Sequence, residues 1–196
     1  MWRGGLATLA ILLAGGAAFW WGTDGGRALT AETARRLAIA ASPRALGDVA
    51  LEDQDGTAFS LLDYRGAPLV LEFVYTTCPD ICLALGTTFE RLDGAAPDAV
   101  RLLSISFDPA DGKERLGWFA DRYGAESPRW RVARVVGNAA RAALMERAGV
   151  IVIPDGMGGF VHNAGLYLVD PEGRLTRVLD PDDVEGALAA LEGHAS

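Results

Sequence analysis

A nearly continuous apolar run at residues 69–75, LVLEFVY, most constrains the fold of this 196-residue chain. A strand with one face in water alternates apolar and polar side chains, whereas this run is typical of a strand buried on both faces. Such a strand needs helices on each side of its sheet. Cys78-Pro79 follows closely, and proline at the first helical position is a helix-start signal. We therefore expect an α/β domain built around residues 69–75.

Strand and helix signals alternate along the rest of the chain. The pattern predicts a β-hairpin around Asp55-Gly56, strands at 69–75, 100–107 and 130–136, helices at 79–92, 111–123 and 138–148, a second hairpin of 165–170 with 175–179, and a closing helix at 182–191. We expect Asp93-Gly94 and Gly124 to end the first two helices and Asn138 to cap the third. This is the thioredoxin order with an N-terminal hairpin and one extra strand–helix unit. The alternation predicts a mainly parallel sheet covered on both faces.

The N-terminal segment stands apart from this pattern. Residues 6–21 carry no charge, Arg3 precedes them, and Trp20 and Trp21 close the run. Its length is at the lower limit for a helix that spans a bilayer, and tryptophan favours the membrane–water interface. We expect an uncleaved anchor with the rest of the chain on the periplasmic side. A cleaved signal peptide is the alternative, and it exports the domain as well.

The chain is expected to have three parts. Residues 1–22 form the membrane anchor (signal-anchor), residues 23–45 a tether, and residues 46–196 the thioredoxin-like domain. An Ala- and Arg-rich stretch inside the tether, residues 30–41, has the composition of a short helix capped by Thr30.

Composition excludes two classes of protein. The net charge is -8 and the basic residues are scattered, which argues against nucleic acid as a partner. The chain has only two cysteines, four positions apart, so it is not a small disulfide-stapled domain. Close-set cysteines of this kind indicate metal binding or redox chemistry.

Cys78 and Cys82 lie at the start of the predicted helix. The residue before a proline avoids helical geometry, so Cys78 is expected to be the N-cap, where the helix dipole favours its thiolate. Cys82 follows one turn later, at about 5–6 Å between Cβ atoms, whereas a disulfide needs about 3.5–4.5 Å. A metal ion bound by both sulfurs spans the wider gap. The spacing favours metal and leaves thiol–disulfide exchange open.

The chain offers two histidines for such a site. His194 lies next to the C-terminus and is expected to be a solvated tail residue. His162 is expected on a Gly-rich loop just before the second hairpin, and in the thioredoxin order the segment before that hairpin passes beside the cysteine turn. Two thiolates suit Cu(I), and an added imidazole allows Cu(II) as well. On its own residues, however, a lone histidine is more often structural.

Taken together, these segments resemble the Sco/SenC family of copper-binding proteins from about residue 46 to residue 193. The motifs that carry the resemblance are LVLEFVYTTCPDIC, SISFDPADG and HNAGLYLVDPEGR. The resemblance implies a thioredoxin-like fold, a membrane anchor and a copper site made of Cys78, Cys82 and His162. It also implies a metallochaperone that helps assemble the dinuclear copper centre of cytochrome c oxidase. The partners implied are the copper-accepting oxidase subunit, another copper chaperone and a thiol reductant.

The sequence departs from the family pattern at two positions. Leu83 stands where proline usually follows the second cysteine, and Val161 stands where aspartate commonly precedes the histidine. Asp108 and Asp111 match the family's Asp-Pro block, and we expect them to be loop and helix-cap residues rather than ligands.

Two other functions use the same cysteines. A thiol–disulfide oxidoreductase would reduce the cysteines of a copper-binding partner through Cys78 and Cys82. A thiol peroxidase would use Cys78 as the attacking thiolate, but no arginine is evident beside the motif.

Overall fold

The structure is a computed structural model that describes residues 2–78 and 81–192. The helices are α1 (Trp2–Gly22), α2 (Ala31–Ala41), α3 (Ile81–Ala95), α4 (Lys113–Tyr123), α5 (Asn138–Ala148) and α6 (Val184–Glu192), with a short 3₁₀ helix at Leu61–Tyr64. The strands are β1 (Arg44–Ala45), β2 (Ala50–Asp53), β3 (Ala58–Ser60), β4 (Leu69–Val74), β5 (Arg101–Ser106), β6 (Trp130–Val135), β7 (Val152–Pro154), β8 (Phe160–His162), β9 (Leu166–Val169) and β10 (Arg174–Leu179).

Eight of the strands form one sheet in the order β1-β10-β9-β4-β5-β6-β2-β3. The prediction of a mainly parallel sheet is wrong. Within the described residues, only the β4–β5 and β5–β6 pairs are parallel. Both predicted hairpins are present, and a short turn can join only antiparallel strands. The hairpin of β2 and β3 joins the edge of β6, and β9 joins β4, in both cases antiparallel. The sheet is therefore mixed, with a parallel centre.

Helices cover both faces of the sheet, as predicted for the thioredoxin-like α/β fold. On one face, the ring of Phe89 in α3 packs 5.7 Å from that of Trp130 in β6. On the other face, Arg35 of α2 lies 5.9 Å from the ring centre of Tyr167 in β9. Its Nη1 also donates to the carbonyl of Ala148 at the end of α5, at 3.2 Å. The element order and the two helical layers confirm the predicted fold class.

Gly86 of α3 leaves room for the ring of Tyr123 in α4. A Cβ atom at this position would lie 2.5 Å from the ring of Tyr123, far inside van der Waals contact. A larger residue at this position would require the Tyr123 ring to move. The helix α4 also lies next to the segment after β4, where the predicted cysteine motif begins.

Several helix boundaries differ from the prediction: α4 and α6 begin two residues later than expected, and the end of α3 and the N-cap of α5 differ as well. The helix α3 continues through Asp93 and Gly94 to Ala95 and ends before Pro97, because the residue before a proline avoids helical geometry. The N-cap of α5 is Gly137, with φ 94°, and Asn138 is the first residue inside the helix. The helix α4 ends at Gly124 in the left-handed conformation, as predicted.

The helix α2 packs on the domain, although the sequence predicts a tether there. Thr30 caps it as predicted, accepting a hydrogen bond from the Thr33 amide at 3.0 Å. Ile39 is fully buried against the core, and Arg36 pairs with Asp180 at 2.6 Å. Burial of one apolar side chain and an ion pair with the segment after β10 hold this helix against the sheet.

The helix α1 lies outside the core. Its residues Gly5–Gly22 are long and apolar enough to cross a bilayer, and none of them is buried against the domain. It is the one helix of the described residues that meets this criterion.

A carboxyl group lies in the centre of the sheet. Glu72 of β4 is fully buried and accepts a hydrogen bond from Ser104 of β5, whose hydroxyl also accepts from the indole of Trp130 at 2.9 Å. Among the described residues, its second carboxyl oxygen has no hydrogen-bond partner. Burial raises the pKa of Glu72 to about 8, because a charge is costly away from water. The neutral carboxyl group is therefore the favoured form at neutral pH.

We expect Glu72 to make stability fall with rising pH, and Glu72→Gln to remove this effect. Between the ordinary pKa of 4.5 and the folded value of about 8, the folded protein holds the proton that the unfolded chain has lost. The free energy of unfolding therefore decreases across this range in the wild type relative to the variant, which cannot ionise. Urea denaturation of both proteins at about pH 5 and about pH 9 measures the effect. If the difference in the free energy of unfolding between the wild type and Glu72→Gln were the same at both pH values, this role of Glu72 would be contradicted.

Candidate metal site

Cys78 lies just beyond the carboxyl end of the central strand β4. Its backbone amide donates to the carbonyl of Tyr75 at 3.1 Å, which closes a turn after the strand. The residue is buried, with 5% of its surface exposed. The predicted N-cap role of Cys78 depends on Pro79 and Asp80, which lie outside the described residues. This role therefore stays a prediction.

Asp111 fixes the segment before Cys78. Its carboxylate accepts hydrogen bonds from the amide and the hydroxyl of Thr76 at 2.8 and 2.6 Å, and from the hydroxyl of Ser106 at 2.6 Å. Arg115 lies 3.6 Å away. The prediction that Asp111 caps a helix is wrong: Gly112 is the N-cap of α4, and the Asp111 side chain is fully buried. Asp108 is a loop residue as predicted and accepts from the amide of Ala110 at 2.8 Å.

His162 ends a short strand rather than the predicted Gly-rich loop. The strands β7 and β8 form a separate hairpin in which His162 pairs with Val152. The imidazole packs edge-on against Phe107 and Tyr75, with ring centroids 5.0 and 6.4 Å apart. Burial among these rings lowers the pKa of His162 to about 4. The imidazole is therefore neutral at neutral pH, which is the form that binds a metal ion.

Tyr75 holds this hairpin beside the cysteine turn. Its hydroxyl donates to the carbonyl of Phe160 at 3.2 Å and accepts from the amide of the same residue at 3.3 Å. Because Tyr75 directly follows β4, these bonds connect the strand that carries His162 to the strand that precedes Cys78.

Cys78 and His162 line one cleft of about 640 Å³. Its other described lining residues are Tyr75, Thr77, Asp155, Met157, Gly158, Gly159, Phe160 and Val161. Cys82 lies in the first turn of α3, but its side chain is outside the described part of the structure. No three described side chains from His, Cys, Asp and Glu lie close enough together to form a metal site. A thiol and a neutral imidazole facing one cleft are nevertheless donors that suit copper. His194 is outside the described residues.

Cys78 also lines a second cleft, of about 440 Å³. This cleft is lined by Thr76, Thr77, Cys78 and three residues of α4, Arg115, Trp118 and Arg122. The guanidinium group of Arg122 stacks on the indole of Trp118, 5.5 Å from the ring centre, and half of the Trp118 surface is exposed. No arginine is evident beside the motif in the sequence, but α4 brings Arg115 and Arg122 from far along the chain to the cleft that Cys78 lines.

Known proteins share this architecture. The SCO1/SenC family model matches residues 39–192. A SCO1 protein homolog of Bacillus subtilis is 27% identical over 132 residues, which cover 64% of this chain and 68% of the homolog. The copper-bound structure of Bradyrhizobium japonicum ScoI is 27% identical and has a TM-score of 0.62, covering 76% of this chain and 98% of that one.

The structure of BsSco is also similar, with a TM-score of 0.67 and 20% identity over 79% of this chain and 95% of that one. BsSco is described as having a disulfide switch and as a member of the Sco family of cytochrome c oxidase assembly proteins. At this level of identity the similarity concerns the fold alone.

We expect Asp111→Asn to destabilise the protein by about 1–3 kcal/mol, because it removes a charged acceptor from three buried hydrogen bonds. Urea denaturation measures the loss, and Asp121→Asn is the matched control, because Asp121 is an exposed carboxylate on the adjoining helix α4. Equal stability changes in the two variants would contradict the anchoring role of Asp111.

Proposed function

The chain belongs to the SCO1/SenC family, and we propose that it is a copper metallochaperone that binds the ion through Cys78, Cys82 and His162. The observation that carries this proposal is the cleft shared by Cys78 and His162. These residues come from distant parts of the sequence. The hydroxyl of Tyr75, which directly follows β4, bonds to Phe160 of β8 and so holds the strand of His162 beside the turn of Cys78. Cys82 joins them one helical turn after Cys78 in the motif.

The donor set matches the chemistry of copper. Thiolates are soft ligands that favour Cu(I), and an imidazole nitrogen extends the range to Cu(II). Burial keeps the His162 imidazole neutral at neutral pH, so the ion does not compete with a proton there. Copper is the cargo of this site, and these residues bind and release it.

We propose the copper-accepting subunit of cytochrome c oxidase as the recipient, with assembly of its dinuclear copper centre as the outcome. Two similar structures support this assignment: ScoI of Bradyrhizobium japonicum holds copper, and BsSco belongs to a family of cytochrome c oxidase assembly proteins. A second copper chaperone that loads the site and a reductant that keeps its thiols reduced are the other partners we propose.

The second cleft favours one other function, reduction of disulfides in the copper-binding partner. Arg115 and Arg122 line the same cleft as Cys78, and positive charge near a thiol favours the thiolate that attacks a disulfide. The Cys78 sulfur would form a mixed disulfide and release one partner thiolate. Cys82 would then displace the second partner thiolate, so that two electrons pass to the partner and Cys78 and Cys82 are left as a disulfide.

We further propose that α1 spans the membrane and holds the domain on the periplasmic side. The apolar helix supports the anchor, and its closing Trp20 and Trp21 suit a membrane–water interface. We expect the full chain to stay in the membrane fraction after alkaline carbonate washing. Protease added to spheroplasts should digest the domain. A protected domain in intact spheroplasts would contradict the orientation, and release by carbonate would contradict the anchor.

The copper site is tested by titrating the reduced full chain, in detergent, with Cu(I) and Cu(II). We expect about one ion per chain. His162→Ala should weaken Cu(II) binding at least about tenfold. Loss of a residue that only hydrogen-bonds a metal ligand already costs about this much affinity, and loss of a ligand should cost no less. Cys78→Ser and Cys82→Ser should weaken Cu(I) binding more strongly, because each removes a thiolate.

The matched control is His194→Ala, which removes the other histidine and should leave both affinities unchanged. Wild-type Cu(II) affinity in His162→Ala would contradict the proposed ligand set. If copper-free His162→Ala also reduced a test disulfide at the wild-type rate while no form bound copper, the reductase would replace the metallochaperone as the function.

A further inference from the structure

The tip of the β7–β8 hairpin places a methionine in the lining of the cleft. Residues 155–159 connect the two strands, and Met157 stands at the apex. The Asp155 carboxylate accepts from the amides of Met157 and Gly159 at 2.7 and 2.9 Å, and Gly158 has φ 95°. These contacts fix the backbone of the tip in a tight turn that only a glycine adopts easily at position 158.

The base of the hairpin fixes where this tip lies. Tyr75 holds Phe160 through two hydrogen bonds, and His162 packs on Phe107. Met157 therefore lines the same cleft as Cys78 and His162. Its side chain is 88% exposed, so it is not engaged in the core. With three rotatable bonds, a methionine anchored only by its backbone can place its sulfur over a range of positions.

The chemistry of the cleft makes Met157 distinct. Of the described residues that line it, Cys78 and Met157 are the two with a sulfur atom. A thioether is a neutral, soft donor that suits Cu(I), and it has no proton to lose on binding. The other flexible donor, Asp155, is a hard carboxylate that suits harder ions and already accepts two backbone hydrogen bonds.

We propose that the Met157 thioether is an additional ligand for Cu(I), beyond the cysteine and histidine ligands and specific for the reduced ion. This inference rests on the proposed copper function and adds a residue to the same site. Met157 would close over the cleft when Cu(I) is bound and would leave Cu(II) to the cysteines and His162. The hairpin thereby makes the site discriminate between the two oxidation states.

The test compares Met157→Leu with the wild-type full chain in detergent. Leucine keeps the apolar volume and removes the sulfur. We expect Cu(I) affinity, measured by competition with a chromophoric chelator, to fall about tenfold, in line with the cost of losing one weaker partner of a metal site. Cu(II) affinity should not change. The matched control is Met145→Leu, because Met145 is a methionine on α5 that lines a different groove.

Two spectroscopic readouts report the ligand directly. X-ray absorption of the Cu(I) protein should show one fewer sulfur neighbour in Met157→Leu than in the wild type. With ¹³C-labelled methionine methyl groups, addition of Ag(I), a redox-inert stand-in for Cu(I), should shift the Met157 resonance and leave that of Met145 unchanged.

The outcomes separate this inference from the proposed function. Normal Cu(I) binding by both proteins, with equal sulfur counts, would overturn the role of Met157 and leave the metallochaperone standing. Equal losses of Cu(I) and Cu(II) affinity in Met157→Leu would overturn it too, because they would show a structural effect of the hairpin. Failure of the wild type to bind copper at all would overturn the proposed function and, with it, the inference.

Discussion

The buried carboxylate of Asp111 joins the elements on which the site depends. It accepts hydrogen bonds from Thr76 after β4 and from Ser106 at the end of β5, and Arg115 on α4 lies beside it. Hydrogen bonds to a charged acceptor are strong in the low dielectric of the protein interior. Without the Asp111 carboxylate, the buried amide and hydroxyl groups that donate to it would lose this partner. The turn that carries Cys78 and the helix that lines its second cleft are thus positioned by one side chain.

The fold could be predicted from the sequence where the signals are local. The apolar run at 69–75, the Asp55-Gly56 turn and the Pro-Glu-Gly turn at 171–173 specify a buried strand and two hairpins from neighbouring residues alone. The direction of strand pairing is not local in this sense. Which strand a hairpin joins depends on the apolar surfaces left after the helices have packed. Here one hairpin pairs with β6 and the other with β4, and both of these pairs are antiparallel although the strands at the centre of the sheet are parallel.

The site shows the same division. The position of Cys78 after a buried strand could be predicted because its signals are local: an apolar strand precedes it and a helix-starting proline follows it. The case for His162, by contrast, depended on the family resemblance. Asp111 has the sequence context of a helix cap, and only the meeting of β4, β5 and α4 buries it. Likewise, α4 brings Arg115 and Arg122 to the cleft that Cys78 lines, a long-range arrangement that no local pattern reports.

The packing of α2 on the sheet has a mechanical consequence. Eight residues separate the end of α1 from the start of α2, and even fully extended they span only roughly 28 Å. A turn closed by the hydrogen bond from the Ala28 amide to the Thr23 carbonyl, at 2.8 Å, shortens this connection further. With α1 in a bilayer, this short connection would keep the domain within a narrow range of heights above the lipid surface. The domain would then meet a recipient by lateral diffusion along the membrane, and the recipient would have to present its metal-binding groups at that height.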